Sequence, residues 1–492
     1  MNNFIFRRDE IQAFQIKESE IMHRCTHDTA RRAEMLIRKN ILKDNLEYII
    51  DAQLRLMFTP QTYDDMRHYV DATNNLMRRV VRETSTVYKG APERVVSPKG
   101  GQKRFDEVCK ALNLNQKMKR ANYLLNGMND LLVQVVVMDG MIDLSLLTPD
   151  MVTVFENKDN PTVLDAVLIE DAYCDEVGQT QRQWIYWSPT RHFILDRDFK
   201  TKSVDGNPEM VNPYAEQNIL MNTFFPFVPI HKDDRENCFW DRYTGKDLVS
   251  ATKLVALQST FRNFMIPMQF KQLGVKQQTI DTNTGTTKSN QIKSPLDILV
   301  TNGEAQVLDW QSNLTQIGEQ IEKQIFSVAG NHGISSENFK LMAQSVSGFA
   351  RKVARERLDE IREDQTETWR DAEDQIFEAI KWASIVYNLN PLPEAAKLSV
   401  DFAEPKDLED PKDEMDLKIQ KIDLGVVNLL DVIMEENPDI KTEEDAEAFL
   451  QRNIDIKNRM TNRYGINFDA ALLNMNGAKV QRGQTAPGVL NG

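Results

Sequence analysis

The sequence predicts a protein of the α+β class, in which helices and an antiparallel sheet occupy separate stretches of the chain. Apolar residues recur at helical spacing in the N-terminal part, over residues 6–57 and 62–84. Short β-rich runs separated by turn residues fill residues 140–235. After Gly348, about forty residues follow without Gly or Pro, which indicates a single long helix.

The N-terminal part is predicted to be helical with two interruptions. Pro60 interrupts the first helical segment, and the pattern resumes over 62–84 and again over about 104–125. Residues 90–101 (GAPERVVSPKGG) are predicted to form a loop, because they are rich in Gly and Pro.

The β-rich region is predicted to form an antiparallel, partly exposed sheet. The apolar run 131–138 indicates a buried strand or a short core helix. Residues 222–230 contain two prolines and therefore cannot form a central strand. The remaining strand-like runs are 141–147, 151–155, 163–169, 184–187 and 193–195.

Two helices are predicted on either side of a second β-rich segment, residues 265–310. The first covers 244–264, because Thr244-Gly-Lys-Asp247 has the form of a capping box and Pro267 stops the helix. The second covers 311–330. The apolar stripe of the first helix is Leu254, Leu257, Phe261 and Phe264, and that of the second is Leu314, Ile317, Ile321, Ile325 and Val328.

Within the segment 265–310, residues 297–301 and 305–310 are predicted to pair as a hairpin. Asn302-Gly303 is predicted to form the type I′ turn that joins them, because this dipeptide tolerates positive φ at both central positions. A polar loop, 279–291, precedes the hairpin.

The long helix after Gly348 has an apolar stripe at steps of three and four. Its members are Ala350, Ala354, Leu358, Ile361, Gln365, Trp369, Ala372, Ile376 and Ile380. A short strand is predicted over 397–402. Two helices separated by Asn437-Pro438 come next, and Thr442-Glu-Glu-Asp445 caps the second. The tail after residue 476 is Gly-rich and is expected to be flexible.

The composition excludes several classes of protein. A chain of 492 residues is long for one core, so at least two structural regions are expected. The formal net charge is −14, and residues 401–450 account for most of it, with 17 Asp and Glu against 5 Lys. No apolar run is long enough to cross a bilayer, and no signal peptide is expected. The 4 cysteines form no CxxC pair, which favours a reducing cytoplasm.

No sequence motif indicates an enzyme, a cofactor or a metal. The nucleophile, zinc, dinucleotide and phosphate-loop signatures are missing. Gly285-Thr-Thr-Lys-Ser289 resembles the end of a phosphate loop, but the upstream glycine is missing, and a surface loop is the preferred interpretation. His23 and His27 share a helical face, yet zinc usually needs a third or fourth ligand.

The order of elements, helix, β-rich insertion, helix, polar loop and very long helix, resembles that of the portal proteins of tailed bacteriophages. The resemblance covers roughly residues 60–475. It is carried by Asn74-Asn75-Leu76-Met77 through Tyr88-Lys89-Gly90, Leu146-Leu147-Thr148-Pro149 with Val152 and Val154, Phe227-Val228-Pro229-Ile230, Ser347-Gly348-Phe349-Ala350, Lys397 to Phe402, and Asn437-Pro438-Asp439-Ile440 before Thr442. The first sixty residues match nothing in the family pattern, and the insertion matches it in β character alone.

The resemblance implies a portal fold. That fold has a wing of helices and antiparallel sheet, a two-helix stem, a β-rich clip, a long wing helix and a helical C-terminal crown. The implied regions are an N-terminal helical region (1–60), the wing (61–243), the first stem helix (244–264), the clip (265–310), the second stem helix (311–330), the tunnel loop (331–347), the long wing helix and strand (348–402), the crown (403–475) and a flexible tail (476–492).

The resemblance also implies a function without catalysis. Portal subunits form a dodecameric ring at one capsid vertex, through which double-stranded DNA is packaged and ejected. The implied partners are further copies of the chain, terminase, head-completion or adaptor proteins, and the major capsid and scaffold proteins. The implied location is the virion, after assembly in the host cytoplasm and without a membrane.

Three groups of site residues follow from that assignment. The tunnel loop is expected to present Ser336, Asn338, Lys340, Gln344 and Ser347 to DNA, although a surface loop with a solvated Lys340 is the open alternative. The clip is expected to dock partners through Thr284, Gly285, Asn302 and Gly303. Trp369 and Ile376 are expected at the contact between subunits.

Two other functional classes compete with a portal. A scaffold or baseplate component with a long coiled helix would not need paired helices flanking a β-rich insertion. A nuclease would need a metal-binding cluster of carboxylates, and no ordered motif supplies one.

Overall fold

The computed structural model describes His23 and residues 28–157, 159–174, 180–204, 206–215, 226–235, 237–269, 274–277, 298–301, 314–334, 348–402, 418–437, 440 and 442–464. The chain divides into two compact units, Met1–Pro405 and Lys406–Gly492. The first unit combines helices with antiparallel sheets, and the protein is therefore of the α+β class, as the sequence predicts.

Nine α-helices of the first unit lie within the described ranges. They are α1 (Thr29–Leu42), α2 (Leu46–Met57), α3 (Pro60–Met66), α4 (Leu76–Thr84), α5 (Gln102–Leu112), α6 (Leu114–Met128), α7 (Lys246–Gln269), α8 (Leu314–Asn331) and α9 (Gly348–Val386). The long helix is confirmed, since α9 has 39 residues.

The strands are β1 (Glu93–Ser97), β2 (Asp130–Met138), β3 (Met141–Leu147), β4 (Val152–Glu156), β5 (Leu164–Cys174), β6 (Thr180–Trp187), β7 (His192–Leu195), β8 (Thr201–Lys202), β9 (Phe227–His231), β10 (Gly274–Gln277), β11 (Ile298–Thr301) and β12 (Lys397–Asp401). The strand-like runs predicted between 141 and 195 are confirmed as β3 to β7. The apolar run at 131–138 is the buried strand β2.

The strands form four sheets. β4 to β8 make a five-stranded antiparallel meander, and β3-β2-β9 make a three-stranded antiparallel sheet. In the second sheet Pro229 of β9 lies on an edge strand, because proline cannot donate the hydrogen bond that a central strand requires. The two smaller sheets are β1-β12, which is antiparallel, and β10-β11, which is parallel.

Two main cores stabilise the first unit. The larger one joins β2, β3 and the inner faces of β4 to β6 to α5, α6 and the second half of α9. The other joins α1 and α2 to α4 and to the facing sides of α7 and α8. The N-terminal helices therefore pack against the helix at 246–269 as part of its support. Gly127 of α6 permits this packing, since an added Cβ would lie 2.4 Å from Cδ1 of Leu42.

Several predicted boundaries in the N-terminal part are wrong. Residues 93–97, predicted as loop, form β1, because they pair with β12 and bury Val96. The helix predicted over 62–84 is broken between α3 and α4. The helix predicted over 104–125 is two helices, α5 and α6, which meet at Asn113 with a left-handed φ of 51°.

The start and end of α7 also differ from the prediction. The amide of Thr244 donates to Asp241 at 3.2 Å, so Thr244 and Asp247 form no capping box. At the other end α7 continues through Pro267 to Gln269. A proline in the last turn removes a single backbone hydrogen bond, which the helix tolerates close to its end.

Trp369 and Ile376 are not at a subunit contact. Both lie on α9 and are 0% and 1% exposed within one chain. The Trp369 indole donates to the Asn122 side chain at 3.2 Å, and its ring packs edge-on against Tyr88. The apolar stripe of α9 packs against the sheet of its own chain, so Trp369 and Ile376 do not form the predicted subunit contact.

Residues 265–269, predicted to belong to the β-rich segment, are the last turn of α7, and the rest of the described part of 265–310 consists of β10 and β11. Residues 298–301 are the predicted strand, but their described partner is β10 and the pairing is parallel. The other half of the predicted hairpin, 305–310, lies outside the described residues.

In its described part, the second unit contains a short helical stretch at 418–423 and two helices, α10 (Leu429–Glu436) and α11 (Glu443–Tyr464). The predicted separation into two helices is confirmed, since α10 ends at Glu436 and α11 begins at Glu443, while Pro438 lies outside the described residues. The predicted cap is confirmed too: the Thr442 hydroxyl oxygen accepts a hydrogen bond from the Asp445 amide at 3.3 Å. In the described parts of both units, no helix is long and apolar enough to cross a membrane.

Candidate functional site

Helices α7 and α8 form an antiparallel pair. Nε2 of His332, directly after α8, lies 3.3 Å from a carboxylate oxygen of Asp247 in the first turn of α7. The end of α8 therefore meets the start of α7, and the opposite ends of the pair carry the segment 270–313. At about 1.5 Å per residue, the two helices are roughly 36 and 27 Å long.

Threonines fix α7 to the rest of the unit. The Thr252 hydroxyl accepts a hydrogen bond from the Met77 amide, and the Thr260 hydroxyl accepts one from the Asp71 amide, each at 3.0 Å. Both hydroxyls also donate to the carbonyl four residues earlier in α7. Both threonines are 0% exposed, so these bonds hold α7 in one rotation and register.

A buried carboxylate fixes the segment of chain that leads into α7. Asp130, at the start of β2, is 0% exposed. It accepts hydrogen bonds from the Arg235 guanidinium at 2.8 Å and the Asp241 amide at 2.7 Å, and His231 Nδ1 lies 2.7 Å away. A buried charge is stable when it is paired and hydrogen-bonded in this way.

The turn at Thr244, just before α7, is fixed by side chains from α1 and from the end of α6. Arg38 and the Asn129 side chain both donate to the Thr244 carbonyl, at 2.8 and 2.7 Å. Burial lowers the pKa of Arg38, although the charges of Glu34 and Asp241 partly oppose that shift. The pKa of Asp241 is lowered as well. Burial alone would raise this pKa, but hydrogen bonds from Thr244 and Tyr243 outweigh the effect of burial.

The end of α8 is a Schellman motif. The Ile334 amide donates to the Ala329 carbonyl at 2.9 Å, and the Gly333 amide donates to the Gly330 carbonyl at 3.0 Å. Gly333 has a φ of 71°, and an added Cβ would lie 2.8 Å from Cδ1 of Ile361 on α9. Residues 331–334 are therefore a helix end docked on α9, and the predicted loop begins no earlier than residue 335.

A cleft of about 300 Å³ lies where α1, α4, α6, α7, α8 and α9 meet. Arg38, Lys232 and Arg357 contribute positive charge to its lining, and Asp233 and Asp364 contribute negative charge. Because both signs are present, the cleft favours neither an anion nor a cation. Burial lowers the pKa of His332 beside it, with Asp247 opposing the shift.

Most of the predicted site residues lie outside the described residues. These are Ser336, Asn338, Lys340, Gln344 and Ser347 of the tunnel loop, and Thr284, Gly285, Asn302 and Gly303 of the clip. Among the residues that the structure describes, no group of three or more His, Cys, Asp or Glu could hold a metal ion.

Sequence reasoning missed the residues that support the helix pair. Asp130 was visible as a carboxylate bordering a very apolar strand, which is a signal for a buried, paired charge. Thr252 and Thr260 had no such signal, because a threonine in a helix is usually solvated. Gly333 near a predicted helix end was a signal for a C-cap.

The sequence was compared with family models and with curated proteins, and neither comparison gives a match.

Proposed function

We propose that this chain is the ring subunit of a tailed-phage portal, with DNA passing through an axial channel. Under this proposal α7 and α8 are the stem, residues 270–313 between them are the clip, α9 is the long wing helix and residues 403–475 belong to the crown. Residues 335–347 then form the tunnel loop, with Lys340 facing DNA.

The observation that carries the proposal is the antiparallel pair α7–α8 with a strand-containing insertion at its free end. Its base is held by Asp130, Thr252 and the Schellman turn at Gly333, and the 39-residue α9 begins at Gly348, after the segment 332–347. A stem must keep a fixed angle to the body while DNA moves past it. Buried hydrogen bonds at the base of a helix pair supply that rigidity.

The charge on the pair suits non-specific passage of DNA. Helix α7 has three basic residues and one acidic residue, and α8 has one basic and two acidic residues, so the pair has a net charge of +1. Each neutralised phosphate adds affinity, and a strongly basic pair would hold DNA instead of letting it slide. A nearly neutral stem is compatible with movement in both directions.

Each remaining partner would bind a particular region of the ring. Terminase and the head-completion proteins dock on the clip, and the major capsid and scaffold proteins surround the wing. The ring belongs to one vertex of the virion and is dodecameric.

Imaging of the purified chain tests the proposal. We expect rings with a central hole by negative-stain electron microscopy, and a mass that is a multiple of 56.7 kDa by native mass spectrometry. A strictly monomeric chain, or open filaments at every protein concentration, would contradict the portal function.

A further inference from the structure

The second unit exposes apolar side chains on two separate surfaces. One, which we call the 418–429 surface, includes the turn after a short helical segment at 418–423, where Leu424 is 78% and Val426 71% exposed. The other, the helix surface, is one face of the second half of α11, where Ile456 and Met460, four residues apart, are 39% and 41% exposed. Both surfaces are exposed within the same chain, so neither covers the other.

The helix surface has little tertiary support. All residues from 451 to 460 are exposed, while Ala446 in the first half of α11 is buried. Isolated helices of this length are marginal in water, and most helical stability in proteins comes from a packed apolar face. The second half of α11 therefore needs a partner surface.

Two successive segments of the second unit, 418–447 and 448–464, carry net charges of opposite sign. Residues 418–447 contain nine acidic and three basic residues, a net charge of −6. Residues 448–464 contain four basic residues and one acidic residue, a net charge of +3. The basic half of α11 and the acidic region before it are thus complementary in charge, and both present exposed apolar side chains.

We propose that the basic half of α11 docks on the acidic region 418–447 of a second copy of this chain. Ile456 and Met460 would cover Leu424 and Val426 of the neighbour, and Arg452 and Arg459, on the same face of α11, would face its carboxylates. Each copy then offers one surface and accepts the other. Such a head-to-tail contact produces a closed ring when the rotation closes.

A second copy fits better than nucleic acid or a membrane. A net charge of −6 on 418–447 repels phosphate, and it is this region that carries the most exposed apolar residues of the unit. The inference rests on the proposed function, because it locates one contact of the proposed ring. It adds the direction of that contact and the residues that form it.

Charge reversal in the full-length chain tests the contact. One variant carries Arg452→Glu and Arg459→Glu, which changes the net charge of 448–464 from +3 to −1. A second carries lysine at four exposed acidic positions, which changes the net charge of 418–447 from −6 to +2; the positions are Asp423, Glu443, Glu444 and Glu447. Each should shift ring dissociation to about tenfold higher protein concentration, because like charges then face each other. An equimolar mixture of the two variants, and a chain with all six changes, should recover the ring, because a surface of −1 then meets one of +2. Lys103→Glu with Lys119→Glu, exposed positions of the first unit, is the matched control.

The outcomes separate the inference from the proposed function. Circular dichroism first establishes that α11 is retained in each variant. Rings of unchanged stability in both variants would overturn the α11 contact and leave the portal function standing. Weakened variants that the mixture does not rescue would overturn the head-to-tail pairing. A wild-type chain that forms no ring would remove both.

Discussion

Glu373 is a buried carboxylate on α9 that holds two side chains from the N-terminal half of the unit. It is 1% exposed, accepts a hydrogen bond from the Tyr88 hydroxyl at 2.8 Å, and accepts two from the Arg94 guanidinium at 2.9 and 2.6 Å. Burial raises the pKa of Tyr88 well above its usual value, and the charge of Glu373 adds to that shift. The three groups fix the long helix to β1 and the segment before it.

Glu373→Gln should destabilise the protein strongly. The amide cannot neutralise Arg94, whose side chain is 8% exposed, and removal of one partner of a buried pair costs roughly 3–5 kcal/mol. The measurement is the free energy of unfolding in urea. Glu360→Gln is the control on the same helix, since its pair with Arg357 is exposed and should contribute at most about 1 kcal/mol. Equal effects of the two changes would contradict this account.

His192 on β7 makes stability depend on pH. Its ring stacks on Trp187 with 3.5 Å between centroids, its Nδ1 has no partner, and burial lowers its pKa to about 4. The folded protein therefore binds a proton less readily than the unfolded chain. The contribution to stability is complete above the ordinary pKa of about 6.5 and is lost as the pH falls toward 4.

His192→Phe should reduce this dependence and keep the stacked ring. Between pH 6.5 and pH 5 the wild-type chain should lose up to about 2 kcal/mol more than the variant, at 1.36 kcal/mol per pKa unit. Urea unfolding of both proteins at pH 7 and pH 5 measures the difference. Equal losses of unfolding free energy in the two proteins would show that burial does not lower the pKa of His192.

At the scale of elements, the turn after α8 decides where that helix ends and how it meets α9. Gly333 combines a left-handed φ with a close approach to Ile361 and Arg357. The preceding helix therefore stops at a defined residue. The first predicted tunnel-loop residues belong to this rigid turn.

Gly333→Ala should destabilise the first unit by about 1–3 kcal/mol, because a side chain is strained at positive φ and its Cβ would displace the Ile361 side chain. Gly330→Ala is the control three residues earlier, where nothing lies within 4 Å of an added Cβ. That change should be neutral or slightly stabilising, since alanine favours the helix. Thermal unfolding of the two variants compares them. A Gly330 variant as unstable as the Gly333 variant would argue against the turn.

At the scale of the whole molecule, the two units have different interiors. The clusters of buried apolar side chains draw their members from residues up to Phe402, within the first unit. In the described part of the second unit, Ala446 is the one buried apolar residue. The first unit therefore has the buried core of a stable body, whereas the described part of the second unit has almost no apolar core of its own.

The proposed channel gives a prediction for the assembled particle. If residues 335–347 line the channel, Lys340 is repeated around the ring, and Lys340→Glu places negative charge against passing phosphates. We expect less DNA in particles assembled with this variant, while the rings form normally. Lys103→Glu, at an exposed position on α5, is the control. Packaged DNA length is the measurement. A wild-type length in the Lys340 variant would remove this residue from the DNA path.

The sequence by itself determined the features that depend on neighbouring residues. The uninterrupted stripe after Gly348 specified α9, the short β-rich runs between 141 and 195 specified β3 to β7, and Pro229 kept β9 at an edge. Thr442 and Asp445 specified the start of α11. In each case the periodicity or the cap lies within one segment, so local chemistry is sufficient.

The tertiary structure alone decided the features whose partners lie far along the chain. Residues 93–97 are a strand because β12, some three hundred residues later, pairs with them. Thr252 is buried because Met77 donates to it, and Trp369 is a core residue because Asn122 and Tyr88 meet it. Whether a polar or aromatic side chain is buried depends on a partner that the local sequence does not contain, and folding brings that partner into place.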